Sequence, residues 1–497
     1  MKKSNLFSQI CLLILIIFLA TSCNGQTNSN AENRTKSIDK TKIDKIDEIV
    51  KMYSDNAGFN GSVLVAHQGQ VIYKKGFGMA DMEWEIANKP NTKFRIASVT
   101  KPFTAILIMQ LVAEKKLDLH KPISTYLKDY PKTIGDQITI HHLLTHTSGL
   151  IRSVETEQKQ FHNPKQLIEI FDNEPLLYKP GEKFEYSNVG YILLGYILET
   201  VTKKSYKDLL EEYIFKPLNM NNSGFYRHRL LLENRSSGYD NNFIDYQNSN
   251  YRDFSNAYSA GAIYSTVEDM FLFDQALYSE KLLPKKYLEL ALTKHTPADF
   301  GGHYGYGLEI VEKPIGNTKD MIETIGHSGS LPGYCAIYTR IPSSQSAIIF
   351  LNNTGRAYLN TMTTAITGVL YDKPYDLPKK SISKLLLDKI EKEGINSGIQ
   401  FFNKFKKDEN YYVKEEELNI VSYKLMQSDK EESAAEVLKL GISYFPNAFN
   451  LYDSYGEILL KLGNKDKAIE NYKKSVELNP NNKNGIRVLK ELGIEIK

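Results

Sequence analysis

The chain has 497 residues, of which 41% are hydrophobic and 24% are charged. Its length suffices for two or more domains, and its composition is that of an ordinary globular protein. The net charge is only +3, so the chain lacks the general excess of cations typical of nucleic-acid-binding proteins. We therefore expect no nucleic-acid partner.

The N-terminus has the pattern of a bacterial export signal. Two lysines precede the apolar run Ile10–Ala20, which is too short to span a bilayer. Small residues then lead into Cys23, an arrangement that resembles a lipoprotein signal with Cys23 as the lipid anchor. Ordinary signal cleavage near the same position is the alternative. We predict a signal peptide over residues 1–22, a disordered tether over residues 23–45, and a protein of the cell envelope, anchored to the membrane by lipid.

Residues 46–371 alternate between strand and helix patterns in three blocks. A β-hairpin is predicted first, with strands at Ser62–Ala66 and Val71–Lys75. A helical middle follows, and its apolar residues recur at helical spacing over Asn163–Asn173, Tyr191–Thr202, Lys207–Phe215 and Met270–Leu277. Strand patterns then return at Tyr306–Glu312, Met321–His327, Cys335–Ile341 and Ala347–Leu351. This order predicts an α+β fold, in which both ends of the domain form one antiparallel sheet beside a helical subdomain.

The C-terminal part is rich in Lys, Glu and Leu and has no strand pattern. We predict a linker and helix over residues 372–411 and an all-helical region over residues 412–497. Pro446 and Pro480 are 34 residues apart, which is the length of a tetratricopeptide repeat. Such a region is interpreted in two ways: as a groove that binds a protein partner, or as a helical hairpin docked on the catalytic domain.

In the segment Phe94–Val112, all but one of the residues from Ala105 to Val112 are apolar, on every side of the predicted helix, which is typical of a buried helix. It nevertheless begins with Ser98 and Lys101, one turn apart on the same face. Burial of a hydroxyl and an ammonium is costly unless the two groups are paired or used. Free N–H groups at the helix start also stabilise negative charge. These features predict a serine nucleophile.

The Ser-x-x-Lys spacing is not sufficient by itself. It also occurs at Ser37/Lys40 and at Ser381/Lys384, both in polar sequence. Only the apolar context distinguishes Ser98 from these two serines.

Three further motifs follow in chain order: Leu143–Leu150 (LLTHTSGL), Tyr186-Ser187-Asn188, and His327-Ser328-Gly329-Ser330. Together with Ser-x-x-Lys, the Tyr-x-Asn and His-x-Gly motifs resemble those of the serine β-lactamase-like, or penicillin-binding-protein, family. That family includes class C β-lactamases, D-Ala-D-Ala carboxypeptidases, D-aminopeptidases and related esterases. The resemblance covers roughly residues 46–371.

The resemblance implies a role for each matching residue. Ser98 would form an acyl-enzyme, with Lys101 and Tyr186 as joint candidates for the general base. Asn188 would hold Lys101 and the substrate amide, and the backbone N–H groups of Ser98 and Ser330 would form the oxyanion hole. The substrate would bind along Asn188, His327, Gly329 and Ser330.

His327 stands where class C β-lactamases carry a lysine. A neutral imidazole attracts a substrate carboxylate less strongly than an ammonium does. We therefore predict a peptidase, amidase or esterase that acts on a peptidoglycan-type peptide or an ester. A β-lactamase is the alternative. No cofactor is expected.

Two other classes of protein remain as alternatives. His142 and His146 have the i, i+4 spacing of metal ligands, but no acidic general base lies between them, so we interpret them as structural and expect no metal. The other alternative is a surface-anchored penicillin-binding or sensor protein without turnover. Covalent trapping on Ser98 would distinguish an enzyme from such a sensor.

Overall fold

The computed structural model describes residues 39–153, 160–242 and 244–495. The predicted signal peptide, Cys23 and most of the predicted tether lie outside the described residues. Within these ranges no helix is both long and apolar enough to cross a membrane.

The central element is an antiparallel sheet of eight strands in the order β10-β11-β12-β13-β14-β15-β1-β2. The strands nearest the two ends of the region 46–371 therefore lie side by side, as predicted. The α+β fold with a sheet formed by both ends is confirmed. The strands are β1 Gly61–His67, β2 Gln70–Phe77, β10 Thr296–Ala298, β11 Gly302–Tyr304, β12 Glu309–Pro314, β13 Met321–Leu331, β14 Tyr334–Ile341 and β15 Ser346–Asn352.

Strand β1 lies in the interior of the sheet, where it pairs with β15 from Gly61↔Asn352 to Ala66↔Ala347. Six of its seven residues are buried because both faces of the sheet are covered. Helix α1 and helix α12 cover one face, and the helical subdomain covers the other. This double burial explains why β1 is a continuous apolar run rather than an alternating one.

Most helices of the helical subdomain are short, whereas the helices that pack on the sheet are longer. The helices are α1 Lys40–Ala57, α2 Thr100–Ala113, α3 Lys132–Gly135, α4 Ile140–Leu144, α5 Pro164–Glu169, α6 Asn188–Thr202, α7 Tyr206–Leu210, α8 Lys216–Leu218, α9 Tyr258–Gly261, α10 Val267–Ala276, α11 Lys285–Ala291 and α12 Leu359–Leu370. Short strands complete it: β3 Met79–Asp81, β4 Ile86–Ala87, β5 Phe94–Arg95, β6 Gly224–Phe225, β7 Tyr239–Asn241, β8 Tyr246–Asn248 and β9 Ile263–Ser265.

Several predicted boundaries differ from the observed ones. The helix predicted over Asn163–Asn173 is α5, Pro164–Glu169, and the strand predicted over Tyr306–Glu312 is β12, Glu309–Pro314. The helix predicted over Lys207–Phe215 ends as α7 at Leu210 and continues as a π-helical turn over Glu211–Phe215. Pro217 in the next turn has no N–H to donate, which disfavours a regular α-helical ladder here. At the N-terminus, α1 begins at Lys40, inside the predicted tether, because its apolar face packs on the sheet.

The C-terminal region is helical throughout apart from one short pair of parallel strands, β16 Lys380–Ser381 and β17 Tyr411–Tyr412. Its helices are α13 Ile382–Glu393, α14 Ile395–Phe405, α15 Glu415–Gln427, α16 Glu431–Tyr444, α17 Phe449–Lys461, α18 Lys465–Leu478 and α19 Lys483–Glu491. This region contacts the region 46–371 directly. Lys414 Nζ donates to Tyr358 Oη at 3.0 Å, and Lys424 pairs with Asp245.

Candidate active site

Ser98 lies in a 3₁₀ turn, Ala97–Val99, that joins strand β5 to helix α2. Ala97 has a φ of +51°, a left-handed conformation that is unfavourable for alanine. This turn holds Ser98 just ahead of the first residue of α2, half-buried, with Val99 rather than Ser98 as the N-cap. The hydroxyl of Ser98 is therefore not used to cap the helix.

Lys101 is fully buried, with 0% of its surface exposed. Its Nζ lies 3.1 Å from Ser98 Oγ, 2.8 Å from Asn188 Oδ1 and 2.9 Å from the carbonyl oxygen of Ala260. The amine thus has three partners and points toward the Ser98 hydroxyl.

Burial holds the pKa of Lys101 well below its ordinary value, because the charged ammonium loses its hydration. The nearby positive charge of Arg152 lowers this pKa further, whereas Glu309 opposes the shift. The ring of Tyr186 lies 4.8 Å from Nζ. A neutral amine is therefore accessible to Lys101 at far lower pH than to an exposed lysine.

Tyr186 and Asn188 are positioned by the start of helix α6. Ser187 is its N-cap, and the Ser187 Oγ accepts a hydrogen bond from the backbone N–H of Gly190 at 3.1 Å. The N–H of Ser187 donates to His146 Nδ1 at 3.0 Å. The cap thereby places Tyr186 immediately before the helix and Asn188 at its first residue.

The phenol of Tyr186 lies near the Ser98 hydroxyl. Loss of water around the phenol raises the pKa of Tyr186 above its ordinary value, and the nearby Ser98 hydroxyl only partly opposes this. The pKa of Tyr186 is therefore raised and that of Lys101 is lowered. Both shifts favour the uncharged form, which is the protonated phenol for Tyr186 and the neutral amine for Lys101.

Strand β13 carries His327, Gly329 and Ser330 alongside the Ser98 turn. A Cβ atom at position 329 would lie 2.3 Å from the carbonyl oxygen of Ile96 and 3.2 Å from the backbone nitrogen of Ser98. Only glycine permits this approach. Gly329 therefore brings the strand against the turn.

The edge of β13 is open beyond this point. Strand β12 pairs with β13 from Pro314↔Met321 only as far as Glu309↔Gly326. Among the described residues no strand pairs with residues 327–331 on that side. An extended substrate could add to the sheet there, with backbone groups as partners.

The imidazole of His327 is turned inward, with only 1% of the side chain exposed. Its Nε2 lies 2.9 Å from Tyr304 Oη, and its Nδ1 is hydrogen-bonded to the carbonyl of Ser328 and lies 3.8 Å from Glu309 Oε1. Burial lowers the pKa of His327, although Glu309 opposes this. The sequence led us to expect a ring that faces the substrate, whereas this ring is enclosed because Tyr304 and Glu309 bracket it.

Residues 46–369 match the sequence family described as Beta-lactamase, which is well over half of the chain. The chain belongs to this family. Residues 456–482 match the tetratricopeptide repeat. Penicillin-binding protein 4* of Bacillus subtilis (strain 168) is 30% identical over 353 residues, which cover 66% of this chain and 75% of the relative.

Solved structures agree with the β-lactamase family fold. The penicillin-binding protein from Bacillus halodurans aligns with a TM-score of 0.57 and 28% identity, and the alignment covers 65% of this chain and 98% of that one. The D-amino acid amidase from Ochrobactrum anthropi SV3, in complex with L-phenylalanine amide, aligns with a TM-score of 0.58 and 26% identity, covering 66% and 98%.

His142 and His146 have separate environments in the β-lactamase domain. His142 Nδ1 accepts from the N–H of Thr139 at 3.2 Å and so helps to cap helix α4. His146 is enclosed among aromatic rings, and Tyr186 lies 4.3 Å away between ring centroids. In the parts of the chain that the structure describes, no group of three His, Cys, Asp or Glu side chains is arranged to hold a metal ion.

Several groups of the β-lactamase site were not predicted from the sequence. Glu309 and Arg152 both affect the pKa of Lys101, and the carbonyl of Ala260 is one of its hydrogen-bond partners. None of them belongs to a recognisable spacing pattern, because each reaches the site through tertiary packing. The position of His146 near the site could have been predicted from the sequence, since this residue lies inside the Leu143–Leu150 motif.

Proposed function

We propose that this protein is a serine hydrolase that forms an acyl-enzyme on Ser98 and acts on amide or ester bonds. The observation that carries the proposal is the set of three partners around the Lys101 amine. A neutral amine has two N–H donors and one lone pair. The Asn188 amide oxygen and the Ala260 carbonyl oxygen can only accept, so they take the two N–H groups. The lone pair is then left for Ser98, the one partner with a proton to give.

Lys101 accordingly acts as the base that removes the proton from Ser98 Oγ as this oxygen attacks the substrate carbonyl. The opposite pKa shifts of the two candidates favour this assignment over a Tyr186 phenolate. Tyr186, protonated and close to Ser98, passes its proton to the departing nitrogen or oxygen as the bond from that atom to carbon breaks, and it regains a proton from the Lys101 ammonium. The neutral Lys101 then takes a proton from water as this water attacks the acyl carbon. The ester bond to Ser98 breaks, the product leaves as a carboxylic acid, and Ser98 Oγ takes back the proton from Lys101.

The negative charge on the carbonyl oxygen needs donors during both steps. The backbone N–H groups of Ser98 and Ser330 are the proposed oxyanion hole, supported by the close approach that Gly329 permits. Loss of one such donor typically costs about 10²–10³ in rate. Asn188 serves a second purpose in the proposal, since its amide also contacts the substrate amide.

The proposed substrates are small amides, peptides or esters, including a peptidoglycan-type peptide. Similarity to a D-amino acid amidase supports an amide substrate, and His327 in place of lysine disfavours efficient β-lactam hydrolysis. β-Lactam hydrolysis remains the second candidate, because the family is named for it.

The test is a panel of purified wild-type protein and Ser98→Ala against four substrates: a β-lactam, a D-Ala-D-Ala peptide, a D-amino-acid amide and a short-chain ester. We expect turnover of the amide, peptide or ester by the wild type alone. Turnover that survives Ser98→Ala would contradict the proposal, as would covalent trapping without any turnover, which would indicate a sensor.

We also propose a lipid anchor at Cys23 in the bacterial cell envelope, supported by the N-terminal sequence. Metabolic labelling with a palmitate analogue in cells should mark the wild type and not Cys23→Ala. Equal labelling of both proteins would contradict the anchor.

Residues 46–371 are proposed as the catalytic domain, residues 372–411 as a connection, and residues 412–497 as the repeat region, which offers a surface for a protein partner. Truncation after Lys380 should leave a soluble domain with ester turnover. Aggregation of this fragment would indicate that the contacts of Lys414 and Lys424 with the catalytic region are required for stability.

A further inference from the structure

A cavity of about 320 Å³ opens next to the Ser98 turn and is separate from the groups assigned to chemistry. Arg95, Pro332 and Tyr334 line it, whereas Ser98, Lys101, Tyr186 and His327 do not. Arg95 precedes Ser98 by three residues, and Pro332 follows Ser330 by two. Since three residues span at most about 10 Å, the cavity is within reach of a short substituent on a substrate bound at Ser98.

The lining of this cavity is strongly basic. Among the residues that the structure describes, the lining contains Arg95, Arg235, Arg252 and His228 and no Asp or Glu side chain. Arg235 and Arg252 are exposed at its rim, and Asp253, the next residue along the chain, is not part of the lining. A concave surface with charges of one sign concentrates ligands of the opposite sign.

Arg95 is held rigidly within the cavity wall. Its guanidinium carbon lies 4.1 Å from the ring centroid of Tyr226 and 4.3 Å from that of Phe254, and one terminal nitrogen donates to Tyr226 Oη at 2.6 Å. Its buried Nε–H has no hydrogen-bond partner among the described residues. An unsatisfied buried donor is costly, and a carboxylate is the group that matches a guanidinium edge most closely.

The opposite flank of the site carries charges of both signs, because Lys313 lies there together with Glu309. Ser328 Oγ donates to Glu309 Oε1 at 3.2 Å, and this carboxylate lies 3.8 Å from His327. Along the chain, His327 precedes Ser330 within β13, and Pro332 follows the last residue of that strand. A substrate carboxylate therefore meets charges of both signs at the His327 flank, whereas the described lining of the cavity offers it basic side chains without an acidic one.

We propose that this cavity binds a carboxylate carried by the substrate on the Pro332 flank of the scissile bond. The proposal rests on the proposed function of Ser98 and adds a specificity to it. The residues that bind the carboxylate are Arg95, within the wall, and Arg235 and Arg252, at the rim.

The test uses the full chain and three chromogenic esters. 4-Nitrophenyl glutarate carries a carboxylate on the acyl chain, 4-nitrophenyl valerate is neutral and of equal chain length, and 3-carboxy-4-nitrophenyl valerate carries the carboxylate on the leaving group. The variant is Arg235→Gln combined with Arg252→Gln, since both side chains are exposed and outside the catalytic machinery. Arg229→Gln, exposed and near the cavity but not in its lining, is the matched control.

We expect the double variant to lower kcat/KM about tenfold for one carboxylate ester and less than twofold for the neutral ester. Arg229→Gln should change neither by more than twofold. If kcat/KM falls only for the glutarate ester, the acyl group of the substrate lies at this flank. If kcat/KM falls only for the ester with the carboxylate on its leaving group, the leaving group lies there. Equal losses for charged and neutral esters, or an equal effect of Arg229→Gln, would overturn the proposal.

Glutarate binding to Ser98→Ala, followed by calorimetry, distinguishes the two proposals. If no ester is hydrolysed but glutarate binds and is weakened in the Arg235→Gln and Arg252→Gln background, the proposed function fails and the carboxylate site stands. If the neutral ester is hydrolysed but neither glutarate binding nor ester selectivity depends on these arginines, the carboxylate site fails and the proposed function stands.

Discussion

The same Ser-x-x-Lys spacing occurs twice at helix starts within the described residues, and the two copies are used differently. Ser381 is the N-cap of α13: its Oγ accepts from the backbone N–H of Lys384 at 3.3 Å and donates to Glu417. The Lys384 side chain is exposed. At the other copy Ser98 precedes its helix and caps nothing, and Lys101 is fully buried.

The comparison shows that spacing alone does not create a reactive serine. The Ser381 hydroxyl is committed to a capping bond and a carboxylate, so neither its proton nor its oxygen is free for reaction. The Ser98 hydroxyl instead faces an amine whose pKa burial holds low. We infer that desolvation of the lysine, together with displacement of the serine from the cap position, converts the motif into a catalytic pair.

The largest expected effect is on activity at the proposed nucleophile. Ser98→Ala should lower kcat for the best substrate by about 10⁴-fold or more, because the attacking oxygen is removed. Ser381→Ala, the matched control with the same atom deleted from the same motif, should retain at least half of the activity. Comparable losses in both variants would mean that the two serines are not functionally distinct.

The second-largest expected effect is the loss of activity when the Lys101 amine is removed. Lys101→Ala should lower kcat by about 10³-fold, whereas Lys384→Ala should leave it unchanged. In the wild type, the amine is reactive only when neutral, so kcat/KM should rise with pH as Lys101 loses its proton and then level off. Because the Lys101 pKa is shifted downward, this rise should lie well below the ordinary lysine value of 10.5. A rise centred near 10.5 would show that the amine is not desolvated.

Tyr186→Phe is expected to have a smaller effect, about 10²-fold on kcat, with the fold unchanged because only a hydroxyl is removed. The double variant Lys101→Ala, Tyr186→Phe should be little worse than Lys101→Ala alone, since groups that act in one proton transfer are non-additive. A full double-mutant kinetic cycle measures this. Multiplying losses would indicate that the two residues act in separate steps.

Much of the fold follows from apolar patterns in the sequence. The strand predicted at Cys335–Ile341 is observed as Tyr334–Ile341, and that at Ala347–Leu351 as Ser346–Asn352. Both strands lie in the interior of the sheet, where burial on both faces favours long apolar runs, although the first of them also buries Thr339 and Arg340. The strand patterns at both ends of the domain also predicted that these ends form one antiparallel sheet, which is confirmed.

Other features are not encoded locally. Strands of two or three residues, such as Phe94–Arg95, exist because a distant segment, Ile263–Ser265, lies beside them. The inward turn of His327 depends on Tyr304 and Glu309, which are remote in sequence. The cavity lined by Arg95, Arg235 and Arg252 was not predicted, because three single arginines in separate segments form no motif.

The smallest effect concerns stability. Ser381→Ala removes the N-cap of α13 and one partner of Glu417, whose side chain is almost fully buried. We expect a loss of about 1–2 kcal/mol in the free energy of unfolding, measured by denaturant unfolding. Ser98→Ala removes no cap and should change stability by less than about 0.5 kcal/mol. A larger loss for Ser98→Ala than for Ser381→Ala would reverse the assignment of the two serines.

The most direct test of the catalytic pair is covalent labelling by a fluorophosphonate, followed by mass spectrometry of the digested protein. Our account predicts a single adduct on the peptide that contains Ser98, no adduct on the peptide that contains Ser381, and strongly reduced labelling in Lys101→Ala. Labelling of both serines at similar rates, or labelling of Ser98 that does not depend on Lys101, would contradict the claim that burial of the lysine makes this serine reactive.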